Sequence, residues 1–267
     1  MNWMKYKLLY LTISLVFISS GLYSLFKWGL SLSIDFTGGV KAVYKLENGE
    51  ILNIKEGIKT IQEVDKIRNE YKSKGAIEEV FEVVGPSIGP ELIKKTYYAV
   101  GISTVLILLW ITVQFRSVKF GISAVLAMLH DMLVLIGSFS LFGHFLNAEI
   151  DFLFVTAVLT TLSFSVHDTI VVFDRIREKL KLSSTENLEL IANQAITETM
   201  VRSVNNSLTI IFMLLSLILL GGETIKWFGL ALLIGTVSGT YSSPFVAIPF
   251  LVTWEYIQKK YVSLRTK

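Results

Sequence analysis

The chain has 267 residues, of which 52% are hydrophobic and 18% charged, and its mean hydropathy is +0.57. That is too apolar for a soluble domain and fits a polytopic membrane protein. A formal charge of +3 dispersed along the chain gives no footing for nucleic acid, and the absence of cysteine excludes disulfides, thiol catalysis and Cys-held metals. At roughly 20 apolar residues per span, six spans leave room for one small soluble domain.

Residues 1–28 read as a basic N-terminal segment and a first span. The apolar run 8–25 is longer than a signal-peptide core, and Tyr23, Phe26 and Trp28 suit an interfacial anchor better than a cleavage site. Residues 29–95 form the one long polar segment, an α+β domain. It carries a β-like run at 40–46, a turn at Asn48 and Gly49, a helical run near 55–72 with Ile58, Ile61, Val64 and Ile67 on one face, and a second β-like run at 77–84. Residues 96–258 are almost all membrane, with spans near 97–113, 120–142, 152–173, 201–220 and 227–254, and an amphipathic helix in solution near 184–199. Residues 259–267 make a basic tail. The fold class is a six-span helical membrane protein with one small α+β domain between the first two spans.

Orientation follows from the short connections. The N-terminus, the loop with Arg116 and Lys119, the cluster Arg175 to Lys181 and the tail are basic, whereas the alternate short connections hold only Lys226. Both termini are therefore expected in the cytoplasm, and the α+β domain outside it, since long segments translocate regardless of charge.

Charged and polar groups inside the spans need a reason, because a carboxylate at the bilayer centre costs about 2.5–3.5 kcal/mol on insertion scales. Asp168 lies roughly 7–8 Å from the cytoplasmic end of span four. Thr161, Ser165, Asp168, Val172 and Arg175 recur at helical spacing as one stripe, and Arg202, Asn205, Asn206 and Thr209 form a second on span five. A carboxylate and a guanidinium at matching depth predict an ion pair. Asp131 lies deeper on span three, with His130 beside it. Each has a plainer reading: Arg202 as a residue reaching the headgroups, the aspartates and histidines as links between helices, Arg175, Arg177 and Lys179 as positive anchors. The functional reading is a proton relay, because burial and a moving guanidinium change how tightly a carboxylate holds its proton. Gly235 and Gly239 form a G-x-x-x-G pair that suits close helix packing, and Pro244 and Pro249 suit a kink in span six. No phosphate loop, zinc signature or Ser/His/Asp arrangement is present in the sequence, so no enzymatic activity, metal or cofactor is expected.

Six strings together resemble the SecF family, membrane subunits of the bacterial Sec export machinery: IDFTGG at 34–39, VGPSIG at 84–89, His130 with Asp131, SVHDTIVVFDRIRE at 165–178, Arg202 with Ser203, and GTYSS at 239–243. The likeness spans nearly the whole chain. It implies six spans related to the resistance-nodulation-division transporters and a ferredoxin-like outer domain, here shortened. It implies SecD as the other six-span half, the SecYEG channel and accessory translocon subunits, an exported polypeptide, membrane lipid and protons as partners, and residence in the bacterial cytoplasmic membrane. The proton motive force then assists late translocation and release. By that resemblance Asp168 and Arg202 stand where protons pass, Asp131 matches the family's span-three aspartate, and Asp35, Gly38, Gly39, Gly85 and Gly89 mark its turn motifs.

The chain departs from the family at His167, where many members have asparagine, which places a second titratable group beside Asp168. Asn205 and Asn206 replace a Thr/Ser-rich stretch. Two other readings remain open: a small-molecule or lipid exporter of the same superfamily, which ordinarily needs larger outer domains, and a passive structural subunit.

Overall fold

The computed structural model describes residues 1–265 except 47–50, 58–60, 86–87 and 183–186. The turn expected at Asn48 and Gly49, together with Ile58, lies outside the described residues. Among the described residues, six helices are long and apolar enough to cross a membrane. They are α1 (Lys7–Trp28), α4 (Ile88–Phe115), α5 (Val118–Leu146), α6 (Phe152–Leu182), α7 (Leu188–Leu220) and the jointed pair α8 (Glu223–Ser242) with α9 (Ile248–Arg265).

Between α1 and α4 lie a one-turn helix α2 (Ile34–Thr37), strands β1 (Gly39–Lys45) and β2 (Ile51–Glu56), helix α3 (Ile61–Ser73) and strand β3 (Ile77–Val84). The sheet is antiparallel in the order β2-β1-β3, with Ala42 opposite both Ile54 and Phe81. Alternation puts Val40, Ala42, Tyr44 and Ile54 on one buried face, closed by Val64 of α3 and Ala76. Tyr44 stacks on Tyr71 with ring centroids 5.1 Å apart, and Arg68 of α3 pairs with Glu78 while its guanidinium lies 4.8 Å over Phe81. The expected helix at 55–72 is corrected at its start. Residues 51–56 are a third strand, because Leu52 and Ile54 alternate toward Tyr44 and Ala42, a period of two that a helix cannot present.

Of two helical joints, the first differs from the sequence reading and the second falls at the expected Pro244. The amphipathic helix near 184–199 does not end before span five: α7 runs unbroken for 33 residues, about 50 Å, and so outreaches a ~30 Å hydrocarbon core. Its first turns stay ordered because Ile191, Ala195 and Ile196 join the main core and the chain's N-terminus packs on them. Met4 N donates to Asn193 Oδ1 at 2.8 Å and Trp3 Nε1 to Thr197 Oγ1 at 2.9 Å. In span six the break is a π-helical turn, Ser243–Ala247, containing Pro244. A proline without an N–H at that point removes a helical hydrogen bond and accommodates the wider turn.

Small residues set the helix crossings. A Cβ on Gly21 would sit 2.8 Å from the Cα of Gly137, so α1 and α5 touch backbone to backbone, and Ser24 Oγ and Ser140 Oγ bond at 2.8 Å one turn on. At Gly235 an added Cβ would meet Thr161 Oγ1 at 2.1 Å, and at Gly239 Ser165 Cβ at 3.1 Å. These contacts bring α8 against α6 and thereby bring their polar residues together.

Candidate functional site: a polar core within the helical bundle

Asp131 sits on α5 with no exposed surface. Ser165 Oγ of α6 donates to its Oδ2 at 2.5 Å, Ser242 Oγ to Oδ2 at 2.6 Å and Ser238 Oγ to Oδ1 at 2.6 Å. His130 Nδ1 lies 3.0 Å from Oδ1. Ser238 and Ser242 are four residues apart on α8, so one helical face presents both hydroxyls to one carboxylate. An ionised carboxylate in low dielectric is tolerable when its lone pairs are filled in this way.

Asp168, one turn beyond Ser165 on the same face of α6, is 5% exposed. Ser203 of α7 is its hydroxyl partner, 2.5 and 2.6 Å from the two carboxylate oxygens, with the Ser243 hydroxyl also facing the group. Ser243 Oγ lies 3.0 Å from Thr169 Oγ1 and donates to Ser165 O at 3.3 Å and Gly239 O at 3.0 Å. Ser207 donates to Ser203 O at 2.9 Å and meets Thr240 Oγ1 at 2.6 Å. The two aspartates are thus joined through Ser165 and Ser243 by a run of small polar groups at the π-helical turn.

The expected Asp168–Arg202 ion pair is not formed. Consecutive residues point about 100° apart on a helix, and it is Ser203 that faces Asp168. Arg202 is exposed and lines a cleft of about 540 Å³ with Asp174, Arg175, Glu198, Thr199 and Gln114. In that cleft Glu198 is held by Arg175 and, at 2.8 Å, by Lys179, and Arg177 binds Asp174 at 2.6 Å. His167 is likewise exposed on the outer side of α6. It continues a stripe of exposed polar residues, Thr156, Thr160, Ser163, His167 and Asp174, and Arg202, Asn205, Asn206 and Thr209 are exposed on α7. Both spans therefore carry polar faces turned away from this bundle.

The motif at 34–39 forms the joint between the outer domain and the spans. Ser33 caps α2 by accepting from Asp35 N, and Asp35 Oδ2 accepts from Phe152 N, the first residue of α6, at 2.9 Å. Asp151 Oδ1 accepts from Phe154 N at 2.8 Å, and burial, with Asp35 nearby, pushes the Asp151 carboxyl up from its ordinary value. Gly38 and Gly39 have φ of 71° and 140°, the second with a would-be Cβ 2.5 Å from Glu56 O. Gly89 lets α4 approach α2, since a Cβ there would lie 2.1 Å from Phe36 O. Gly85 has neither a positive φ nor a close neighbour of this kind; its carbonyl accepts from Ile88 N at 3.1 Å at the start of α4. Among the described residues no group of His, Asp and Glu could hold a metal ion.

Sequence reasoning placed both aspartates in the bundle but missed their serine partners. Ser203, Ser242 and Ser243 belong to the strings quoted above but were given no role beyond close packing for the last two, and Ser238 was not singled out; the four-residue spacing of Ser238 and Ser242 was the available signal.

Six spans, a small outer domain mounted on the fourth, and two carboxylates enclosed by hydroxyls define a polytopic membrane protein with an ionisable intramembrane core. The family model for "Protein export membrane protein SecD/SecF, C-terminal" matches residues 63–256. The "Protein translocase subunit SecF" of Thermobaculum terrenum is 39% identical over 294 aligned positions, covering 94% of this chain and 93% of the relative. That of Anaerolinea thermophila is 35% identical, covering 96% and 94%. The crystal structure of SecDF, a translocon-associated membrane protein from Thermus thermophilus, matches with a TM-score of 0.84 at 30% identity over 96% of this chain. A super-membrane-facing form of SecDF matches with a TM-score of 0.79 at 28% identity over 99%. The chain spans about two fifths of those solved chains, 39% and 40% of their length. It belongs to the SecD/SecF family of protein export membrane proteins.

Proposed function

We propose that this chain is the SecF half of a Sec export complex, a non-catalytic subunit of the bacterial cytoplasmic membrane with both termini in the cytoplasm. It acts with SecD, alongside the SecYEG channel, to couple proton flow to the late movement and release of exported polypeptides. One observation carries this reading. Asp168 is buried within a span against a single serine of α7, while Arg202 and His167, next to that contact, face outward beside rows of Asn, Thr and Ser. Polar faces of that kind are not stable against lipid and call for protein or water. The matched solved chains hold a second portion large enough to supply it. Asp168 is the proton-carrying group, Arg202 the cation that a partner's carboxylate would engage, and His167 a group at the edge of the same face.

Asp131 has a second reading, favoured by its filled shell: a hydrogen-bonded tie that holds α5, α6 and α8 together. Translocation vesicles carrying Asp168→Asn test the main proposal. Assembly with SecD is expected to persist, because an amide keeps the Ser203 contact, while stimulation of export by a proton gradient disappears. Undiminished stimulation would remove the relay.

A further inference from the structure

The Asp131 cluster leaves one of its own polar atoms unpaired, on the His130 ring. Asp131 accepts from three serines, so the ring hydrogen of His130 belongs on Nδ1, 3.0 Å from the carboxylate, and Nε2 is left as an acceptor. Nε2 is buried without a hydrogen-bond partner, and His130 as a whole is 6% exposed. Buried polar atoms are almost always paired, so this one requires an explanation.

His130 is also part of the wall of a groove of about 500 Å³ formed by α1, α5 and α8, a size within the ordinary range for small-molecule sites. Its lining is mainly apolar, with Phe17, Val134 and Val237 prominent, and only a few hydroxyls interrupt it. In the lining, Tyr241 donates its hydroxyl to Tyr10 O at 2.7 Å and accepts from Ser14 Oγ at 3.4 Å, so α8 is tied to α1 along this wall and the Ser14 hydroxyl is the weakly held group there. The rim is at ease in lipid: Phe17 is 61% and Val237 52% exposed. This surface therefore does not demand a protein cover, unlike the polar faces of α6 and α7.

We propose that the groove binds a small apolar molecule bearing one hydroxyl, an aliphatic alcohol or a phenol partitioned in the bilayer, whose O–H donates to His130 Nε2 past Ser14 and Tyr241. An acyl chain fills the volume but leaves the nitrogen unpaired, and water pairs the nitrogen but leaves the apolar walls unfilled. Occupancy fixes the His130 ring with its hydrogen on Nδ1 and so secures the fourth donor to Asp131. The site stands apart from the export role and from Asp168.

The test is photolabelling of the intact complex in lipid nanodiscs with a diazirine-bearing octanol and with the matched alkane lacking the hydroxyl, the labelled peptides being mapped by mass spectrometry. Saturable labelling around Phe17, Val134 and Val237, displaced by unlabelled octanol and about 2- to 10-fold stronger than with the alkane, is the expected result, the ratio a single hydrogen bond supplies. His130→Phe keeps a ring of similar shape and is expected to make the two probes equal, and Val237→Trp, on the exposed rim, to block both. Equal labelling by both probes in the unsubstituted protein overturns the proposal. So does saturable labelling of the isolated chain that vanishes in the complex, which would assign the groove to a partner helix.

Discussion

Asp131 and Asp168 lie in one bundle within two turns of each other's contacts, yet their surroundings differ in kind. Asp131 receives three serine hydroxyls and a histidine nitrogen from three helices and has no exposed surface. Asp168 has Ser203 within 2.5 and 2.6 Å of its two oxygens and the Ser243 hydroxyl facing it, and the neighbouring residues on α6 and α7 open outward. A carboxylate whose lone pairs are filled from several helices fixes those helices; one held by fewer, rotatable hydroxyls exchanges a partner at lower cost. Burial alone does not distinguish the two sites; the number and origin of their donors do.

Substitution at Asp131 sharpens that contrast most. Asp131→Ala leaves three hydroxyls and a histidine nitrogen unpaired in the bundle, each costing about 1–3 kcal/mol, so loss of the monodisperse folded protein is expected in thermal melting followed by size-exclusion chromatography. A melting point like that of Asp168→Asn would erase the distinction. Gly235→Val comes next, since its branched side chain runs into Thr161. About 1–3 kcal/mol of overpacking is expected, and Thr161→Ala in the same chain should recover part of the lost melting temperature.

Ser203→Ala tests the other side of the comparison. It is expected to cost about 1 kcal/mol in stability, while export driven by a proton gradient changes its pH dependence; an unchanged profile would deny Ser203 any hold on Asp168. The smallest effect belongs to the outer domain, where Glu78 is paired with Arg68 in water. The Arg68 guanidinium holds the Glu78 carboxyl below its ordinary range. Its contribution is therefore present above the ordinary glutamate range and lost as pH falls through the lowered value. Amide exchange of β3, corrected for its intrinsic pH dependence, should show that loss in the parent and a flat, slightly lower protection in Glu78→Gln.

Much of this architecture was legible in the chain. Apolar runs located six spans because twenty residues of hydrocarbon leave little ambiguity, and the placement of Asp131 and Asp168 within spans followed from the same runs. The direction of a polar stripe was not legible. Arg202, Asn205, Asn206 and Thr209 do form one helical face, but spacing cannot tell a face turned toward span four from one turned toward another protein, and the structure turns it outward. Serine caused the second miss, because within an apolar span it reads equally as a small packing residue and as a hydrogen-bond donor. Strand β2 was lost for a simpler reason: its alternation lasts only six residues, next to a helix whose apolar spacing extends plausibly back into it.

Helix α6 begins under the outer domain and carries Asp168 in its interior. Asp35 caps Phe152, Ile150 exchanges backbone hydrogen bonds with Ser31 and Ser33 at 2.7 and 2.9 Å, and Lys55 of β2 grips Glu149 at 2.6 Å. From Phe152 to Asp168 the helix runs roughly 24 Å with neither glycine nor proline to bend it. One uninterrupted helix therefore joins the clasp made by Asp35, Lys55 and the Ile150 backbone to the Asp168–Ser203 contact, so the small domain and the buried carboxylate share a single straight axis.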